Sequence, residues 1–152
     1  MSLRLPNGKF ILQGVTGKIR SGAVTAIMGP SGCGKTTFMS TMMGKLNRTS
    51  GSLKISGESR EMAEYKKIIG YVPQEDLMHR ELTVRENILY SARIRLPRSW
   101  SDELVAKYVD SILDVLNLST VAHTTIGDEV TRGISGGQRK RVNIGMELAA
   151  ST

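Results

Sequence analysis

Residues 29–36 have the composition and spacing of a loop that binds phosphate groups. The run is Gly-Pro-Ser-Gly-Cys-Gly-Lys-Thr, which fits the pattern G-x-x-x-x-G-K-[ST]. Its glycines let backbone N–H groups turn toward phosphate oxygens, and the start of a following helix adds the positive end of its dipole. Lys35 is placed to reach the β- and γ-phosphates of a nucleotide, and Thr36 to offer its hydroxyl to Mg²⁺.

The sequence on either side of the loop predicts the elements that the motif requires. Residues 23–28 are mostly apolar and β-prone, and they predict a buried strand. Residues 35–46 predict a helix with its apolar side chains on or near one face. Because strand, loop and helix follow one another in this order, the motif predicts a nucleotide site rather than an ordinary glycine turn.

A second glycine-rich motif, Ile-Ser-Gly-Gly-Gln, occupies residues 134–138 before another helical pattern. Ser135 is a natural N-cap, and Gly136 and Gly137 leave backbone N–H groups open. The motif therefore predicts a second anion site at a helix start, although a turn of this kind alone is usually only a cap.

Composition limits the class of protein. The chain has 152 residues, a formal net charge of +7 and one cysteine, which fits a single domain in a reducing compartment without an internal disulfide. It has no apolar run of 18 residues that would span a membrane. The excess positive charge is diffuse and not interleaved with aromatic residues, so we expect no nucleic acid as a partner.

The rest of the chain predicts short strands first and helices later. Predicted strands are residues 10–12, 53–55 and 68–72. A capping box at Thr83 and Glu86 predicts a helix over residues 84–95. Ser101 caps the next predicted helix, whose apolar side chains form a continuous stripe.

Three motifs in this order and spacing resemble the nucleotide-binding domain of an ABC transporter over nearly the whole chain. They are the phosphate loop, residues 71–74 (Tyr-Val-Pro-Gln) at the position of the Q-loop, and residues 134–138 at the position of the signature. Finer features resemble the eukaryotic G subfamily, including Gln-Glu-Asp at residues 74–76 and Gln-Arg-Lys-Arg-Val at residues 138–142.

The resemblance implies an α/β fold: a P-loop NTPase (RecA-like) core with an N-terminal antiparallel β subdomain and an inserted α-helical subdomain. The implied segments are a β subdomain and core strand over residues 1–28, a core over 29–75, a helical subdomain over 76–133 and the signature helix over 134–152. The family's Walker B strand, catalytic glutamate, D-loop and switch histidine are expected beyond Thr152, so we expect this chain to be an incomplete domain without ATPase activity of its own.

The resemblance also implies roles for individual residues. Lys35 and Gln74 are the catalytic candidates, and Thr36 and Gln74 are the candidates for contact with Mg²⁺. The implied contacts to ATP are Gly29, Pro30, Ser31, Gly32, Cys33, Gly34, Lys35, Thr36, Thr37, Ser135, Gly136, Gly137 and Gln138. The signature residues would contact an ATP held by a second nucleotide-binding domain.

The implied whole protein is an ATPase at the cytoplasmic face of a membrane. Its partners would be a second nucleotide-binding domain and a membrane domain of the same polypeptide, and it would export lipids, sterols or amphipathic compounds. A soluble ABC-type ATPase of translation or DNA repair is the alternative.

Overall fold

The computed structural model describes residues 1–65, 69–128 and 131–149. The chain divides into two compact units, Met1–Ile69 and Gly70–Thr152. The first contains the phosphate loop, and the second contains the predicted Q-loop and signature.

The strands of the first unit form two small antiparallel sheets. β1 (Leu3–Arg4) pairs with β2 (Phe10–Leu12), and β3 (Lys54–Ile55) pairs with β4 (Glu58–Ser59). In the second hairpin Ser56 and Gly57 both have positive φ, at 53° and 88°, as a two-residue turn between twisted strands requires. The predictions of strands at residues 10–12 and 53–55 are confirmed, the second with its start moved to Lys54.

Helix α1 spans Lys35–Met42, directly after the phosphate loop. It ends four residues earlier than predicted because Gly44 adopts the left-handed conformation, with φ of 69°. The N–H groups of Lys45 and Leu46 both donate to the carbonyl of Ser40, which closes the end of the helix.

Two predicted strands are wrong. Residues 23–28 form no strand and are exposed, and residues 69–72 form none either, while Ile68 lies outside the described residues. A strand of a parallel sheet needs neighbours that pair with its backbone N–H and C=O groups. In the part of the chain that the structure describes, the two sheets involve only β1 to β4, so these apolar segments have no strand to pair with.

In the described part of the second unit, the α-helices are α2 (Val84–Arg95), α3 (Asp102–Val115) and α4 (Gly136–Leu148). Short 3₁₀ helices lie at Met62–Tyr65 in the first unit and Ser119–Val121 in the second. The predicted caps are confirmed: Thr83, Ser101 and Ser135 each accept a hydrogen bond from a backbone N–H of the first turn. In the box that starts α2, hydrogen bonds from the backbone N–H and hydroxyl of Thr83 hold the pKa of Glu86 below its usual value.

The core of the second unit lies among these helices. Its fully buried side chains include Val84, Ile88, Val109, Leu118 and Val142, each with 0% exposure. None of the helices in the described residues is long and apolar enough to cross a membrane.

Gly145 allows α4 to lie close to α2 and α3. A Cβ atom at this position would lie 2.9 Å from Ile88 Cδ1, 3.1 Å from Leu116 Cδ1 and 3.4 Å from Ile112 Cγ2. We therefore expect Gly145→Val to lower the free energy of unfolding by about 1–3 kcal/mol, the usual cost of overpacking a core. Urea unfolding followed by circular dichroism measures the change.

Gly145→Ala is the matched variant. Its single methyl group contacts the same neighbours. The higher helix propensity of alanine, however, stabilises the helix by about 1 kcal/mol and offsets that much of the cost of the contacts. The expected order of stability is parent or alanine variant above valine variant. A valine variant as stable as the parent would show that the three helices are packed less closely than the structure indicates.

Candidate functional site

The start of α1 differs from the starts of α2, α3 and α4 because no side chain caps it. Gly34 occupies the N-cap position, and no acidic residue lies in the first turn. The N–H groups of the first helical residues have no acceptor within a helix. Those of Lys35, Thr36 and Thr37 are therefore available to an external anion, and the helix dipole favours such an anion at this end.

The ammonium group of Lys35 lies inside the phosphate loop. Its Nζ donates to the carbonyl oxygens of Gly29 at 2.8 Å and Pro30 at 2.7 Å, and it lies 3.7 Å from the sulfur of Cys33. The loop thus surrounds the positive charge of Lys35. The acceptors in these three contacts are uncharged oxygen and sulfur atoms. A phosphate group offers that ammonium a charged acceptor, which makes a stronger hydrogen bond than a carbonyl does.

The glycines of the loop are required by its backbone conformation. Gly32 and Gly34 have φ of 78° and 93°, a region that other residues adopt only with strain. Gly34 also lies against β2, since a Cβ there would be 3.4 Å from Leu12 Cδ2. The sheet of β1 and β2 therefore supports the loop at the point where α1 begins.

The signature residues form the capped start of α4. The Ser135 hydroxyl oxygen accepts from the Gln138 N–H at 3.3 Å, and the Gln138 side-chain oxygen accepts from the Ser135 N–H at 2.8 Å. This capping box leaves the N–H groups of Gly136 and Gly137 at an exposed helix start. The side chain of Gln138 serves the cap, and the exposed donors belong to the two glycines and to the serine hydroxyl.

Gln74 is exposed, and its segment lies against α4 within the second unit. Its backbone carbonyl accepts a hydrogen bond from Lys140, which also pairs with Asp76 at 3.0 Å. Asn143 donates to the same Asp76 carboxylate at 3.0 Å. Lys140 and Asn143 were not among the site residues predicted from the sequence, although their spacing of three on one helix places them on one face.

The predicted site residues therefore form two groups. The phosphate-loop residues and Thr37 come together in the first unit, and Gln74 and the signature residues lie on or beside α4 in the second. Oxygen ligands such as the Thr36 hydroxyl suit Mg²⁺. This ion is usually held by few protein ligands, together with phosphate oxygens and water. No group of three or more His, Cys, Asp or Glu side chains in the described residues forms a metal site.

A protein-family model described as ABC transporter matches residues 12–152. The chain belongs to the ABC transporter family. Its motifs are therefore those of the ATP-binding domain of such a transporter, and the resemblance inferred from the phosphate loop, Q-loop and signature is confirmed.

Sequence relatives place the chain in the G subfamily. ABC transporter G family member 25 of Oryza sativa subsp. japonica is 47% identical over 144 residues, which cover 92% of this chain and 14% of that protein. ABC-type transporter claG of Penicillium crustosum is 45% identical over 134 residues, covering 88% of this chain and 18% of that protein. The chain thus spans less than a fifth of the length of either relative.

A solved structure supports the fold. The structure of cbiO1 from Clostridium perfringens, described as part of the ABC transporter complex cbiONQ, superposes with a TM-score of 0.78 at 23% sequence identity. The match covers 98% of this chain and 59% of that one. The predicted α/β fold of P-loop NTPase type is confirmed, and the four segment boundaries drawn from the sequence stay predictions.

Gly34→Ala tests whether the phosphate loop needs a left-handed backbone at position 34. Because Gly34 is left-handed, alanine should lower the free energy of unfolding by about 1–2 kcal/mol and weaken nucleotide binding. Urea unfolding and nucleotide titration measure the two effects. Gly17→Ala is the control, since its backbone is not left-handed and no atom lies within 4 Å of the added Cβ; equal stability of the two variants would contradict the conformation of the loop.

Proposed function

We propose that the chain binds Mg²⁺-ATP through its phosphate loop, and that the whole protein hydrolyses this ATP to drive transport across a membrane. The observation that carries the proposal is the uncapped start of α1 beside the Lys35 ammonium. A helix start without a capping side chain leaves N–H groups that need an acceptor. The β- and γ-phosphates of ATP supply both the acceptor oxygens and the negative charge.

Binding of ATP exchanges the contacts of Lys35. Its ammonium gives up the carbonyls of Gly29 and Pro30 and turns to the β- and γ-phosphate oxygens. The loop residues from Gly32 to Lys35 would surround the β-phosphate, while Thr37 would lie near the α-phosphate. Little covalent chemistry is required of the chain, because phosphoryl transfer depends mainly on positioning and on neutralising charge.

Thr36 and Gln74 are the residues of this chain that would contact the metal ion. The Thr36 hydroxyl is at the start of α1, where the phosphates arrive. Gln74 would contact the ion or the attacking water. When bound, Mg²⁺ neutralises charge on the β- and γ-phosphate oxygens.

The signature motif would act on the ATP held by a second nucleotide-binding domain. Ser135, Gly136 and Gly137 present a hydroxyl and two backbone N–H groups at one exposed helix start. This start has no lysine equivalent to Lys35 within its motif, so it is suited to complete a phosphate site more than to form one alone. Two such domains, facing each other, would hold each ATP between one phosphate loop and one signature.

Membership of the G subfamily supports a transporter at the cytoplasmic face of a membrane. The substrates proposed are lipids, sterols or other amphipathic compounds, and the membrane domain would belong to the same polypeptide. The alternative of a soluble ATPase in translation or DNA repair is not favoured, because both relatives described above are named transporters.

Lys35→Ala should weaken ATP binding strongly because it removes the cation that faces the phosphates. Charge-assisted contacts of this kind contribute about 1.5–3 kcal/mol, or roughly a tenfold to hundredfold rise in Kd. Calorimetric titration of the full-length protein with Mg²⁺-ATP measures it. Lys18→Ala removes the same charge from an exposed position outside the loop and is the control; equal affinities of both variants and the parent would refute ATP binding at this loop.

Ser135→Ala should leave ATP binding to a single copy nearly unchanged and lower ATP turnover of the full-length protein by about a hundredfold, as loss of one transition-state donor does. Ser101→Ala is the matched control, because this serine caps α3 in the same way and its loss costs about 1 kcal/mol of stability. If both variants lower turnover equally, the effect of Ser135 is that of a cap alone.

A further inference from the structure

Helix α4 carries a stripe of three polar side chains that contact the segment containing Gln74. Lys140, Asn143 and Glu147 are spaced by three and four residues, so they lie on one face of the helix. Each of them bonds to residues 70–77, the segment that the apolar pattern had predicted in part as a strand. Side chains of α4 thus bind this backbone in place of a neighbouring strand.

Lys140 contacts Gln74 most directly. Its Nζ donates to the Gln74 carbonyl oxygen and, at 3.0 Å, to Asp76 Oδ1. One ammonium group therefore joins the backbone of Gln74 to the carboxylate two residues later. This fixes the peptide from which the Gln74 side chain projects.

Asn143 holds the following residues from a buried position, with 6% exposure. Its Nδ2 donates to Asp76 Oδ1 at 3.0 Å and to the Glu75 carbonyl at 3.4 Å. Its Oδ1 accepts from the Leu77 N–H at 3.4 Å. A buried amide with three such bonds specifies one backbone conformation, because any other arrangement leaves polar groups unpaired.

Glu147 holds the other end of the segment. Its Oε1 accepts from the Tyr71 N–H at 3.1 Å, and its Oε2 accepts from Arg95 of α2 at 2.8 Å. The segment is thus held on both sides of Gln74 by the helix that begins with the signature.

We propose that Lys140 and Asn143 are positioning residues that set the backbone of Gln74 and thereby the placement of its side chain for ATP turnover. The inference rests on the proposed function, in which Gln74 contacts Mg²⁺ or the attacking water. Substitution of Lys140 can separate an effect on the position of Gln74 from an effect on stability. The side chain of Lys140 is 46% exposed, and its ion pair with Asp76 lies near the surface. Exposed ion pairs contribute little to the free energy of unfolding.

The test compares Lys140→Met with the parent in the full-length protein. We expect kcat for ATP to fall about tenfold with KM changed less than about twofold, since small displacements of a positioned group lower turnover more than binding. The Mg²⁺ concentration for half-maximal turnover should rise, and amide hydrogen exchange should increase in residues 70–77 but not in α4. Lys140→Arg keeps a cationic donor and should recover most of the lost turnover.

Asn143→Leu is the second variant and should act in the same direction, with some loss of stability because its buried partners become unpaired. Lys107→Met is the matched control, since Lys107 forms an exposed ion pair with Glu103 on α3. It should change neither kcat nor the Mg²⁺ dependence.

Parental kcat and Mg²⁺ dependence in Lys140→Met, while Gln74→Ala loses turnover, would overturn the inference and leave the proposed function standing. The inference would also be overturned if Lys107→Met lost as much kcat as Lys140→Met. It would be overturned as well if the loss of kcat in Lys140→Met came with a fall in melting temperature large enough to account for it, because the effect would then be structural alone. Parental turnover in both Lys35→Ala and Gln74→Ala would instead refute the proposed function, and the inference with it.

Discussion

The free backbone N–H groups at the start of α1 are the constraint on which the proposed site depends. Every helix start has such groups, and a side chain usually accepts from them. Here Gly34 replaces the capping side chain, its left-handed backbone turns the chain into the helix, and Lys35 adds a charge at the same place. The structure thus concentrates donors where the chain itself offers few acceptors, which favours binding of a polyanion such as ATP.

At the start of α4, unlike that of α1, side chains accept hydrogen bonds from the free backbone N–H groups. This difference indicates different roles for the two loops. Ser135 and Gln138 cap each other's backbone N–H groups, so α4 is complete without a ligand. Its glycines and serine hydroxyl stay exposed and can add donors to a phosphate that is already bound elsewhere. The same helix, through Lys140 and Asn143, holds the segment of Gln74. A single rigid element therefore carries the signature at its start and supports the Q-loop along one face.

The sequence predicted the features that depend on local interactions and failed where pairing partners are distant. The capped helices α2, α3 and α4 were predictable because Thr83, Ser101 and Ser135 each bond within a single turn. The early end of α1 depended on the conformation of Gly44, which the apolar pattern does not reveal. Residues 23–28 have the composition of a buried strand, but composition cannot supply the neighbouring strand that would pair with them. The contacts of Lys140 with Gln74 and Asp76 join residues more than sixty positions apart, so no local pattern could have shown them.

The central claim is that each ATP lies between the phosphate loop of one copy and the signature of another, and mixed pairs of full-length copies test it most directly. In one pair, a copy with Lys35→Ala and a copy with Ser135→Ala carry different affinity tags, and the mixed pair is purified through both tags. In the other pair, both substitutions are in one copy and its partner is unchanged. If the sites form between copies, the first pair retains one intact site and ATP turnover, and the second retains none. Turnover in the second pair and its loss in the first would show that each site forms within one copy, and would contradict the claim.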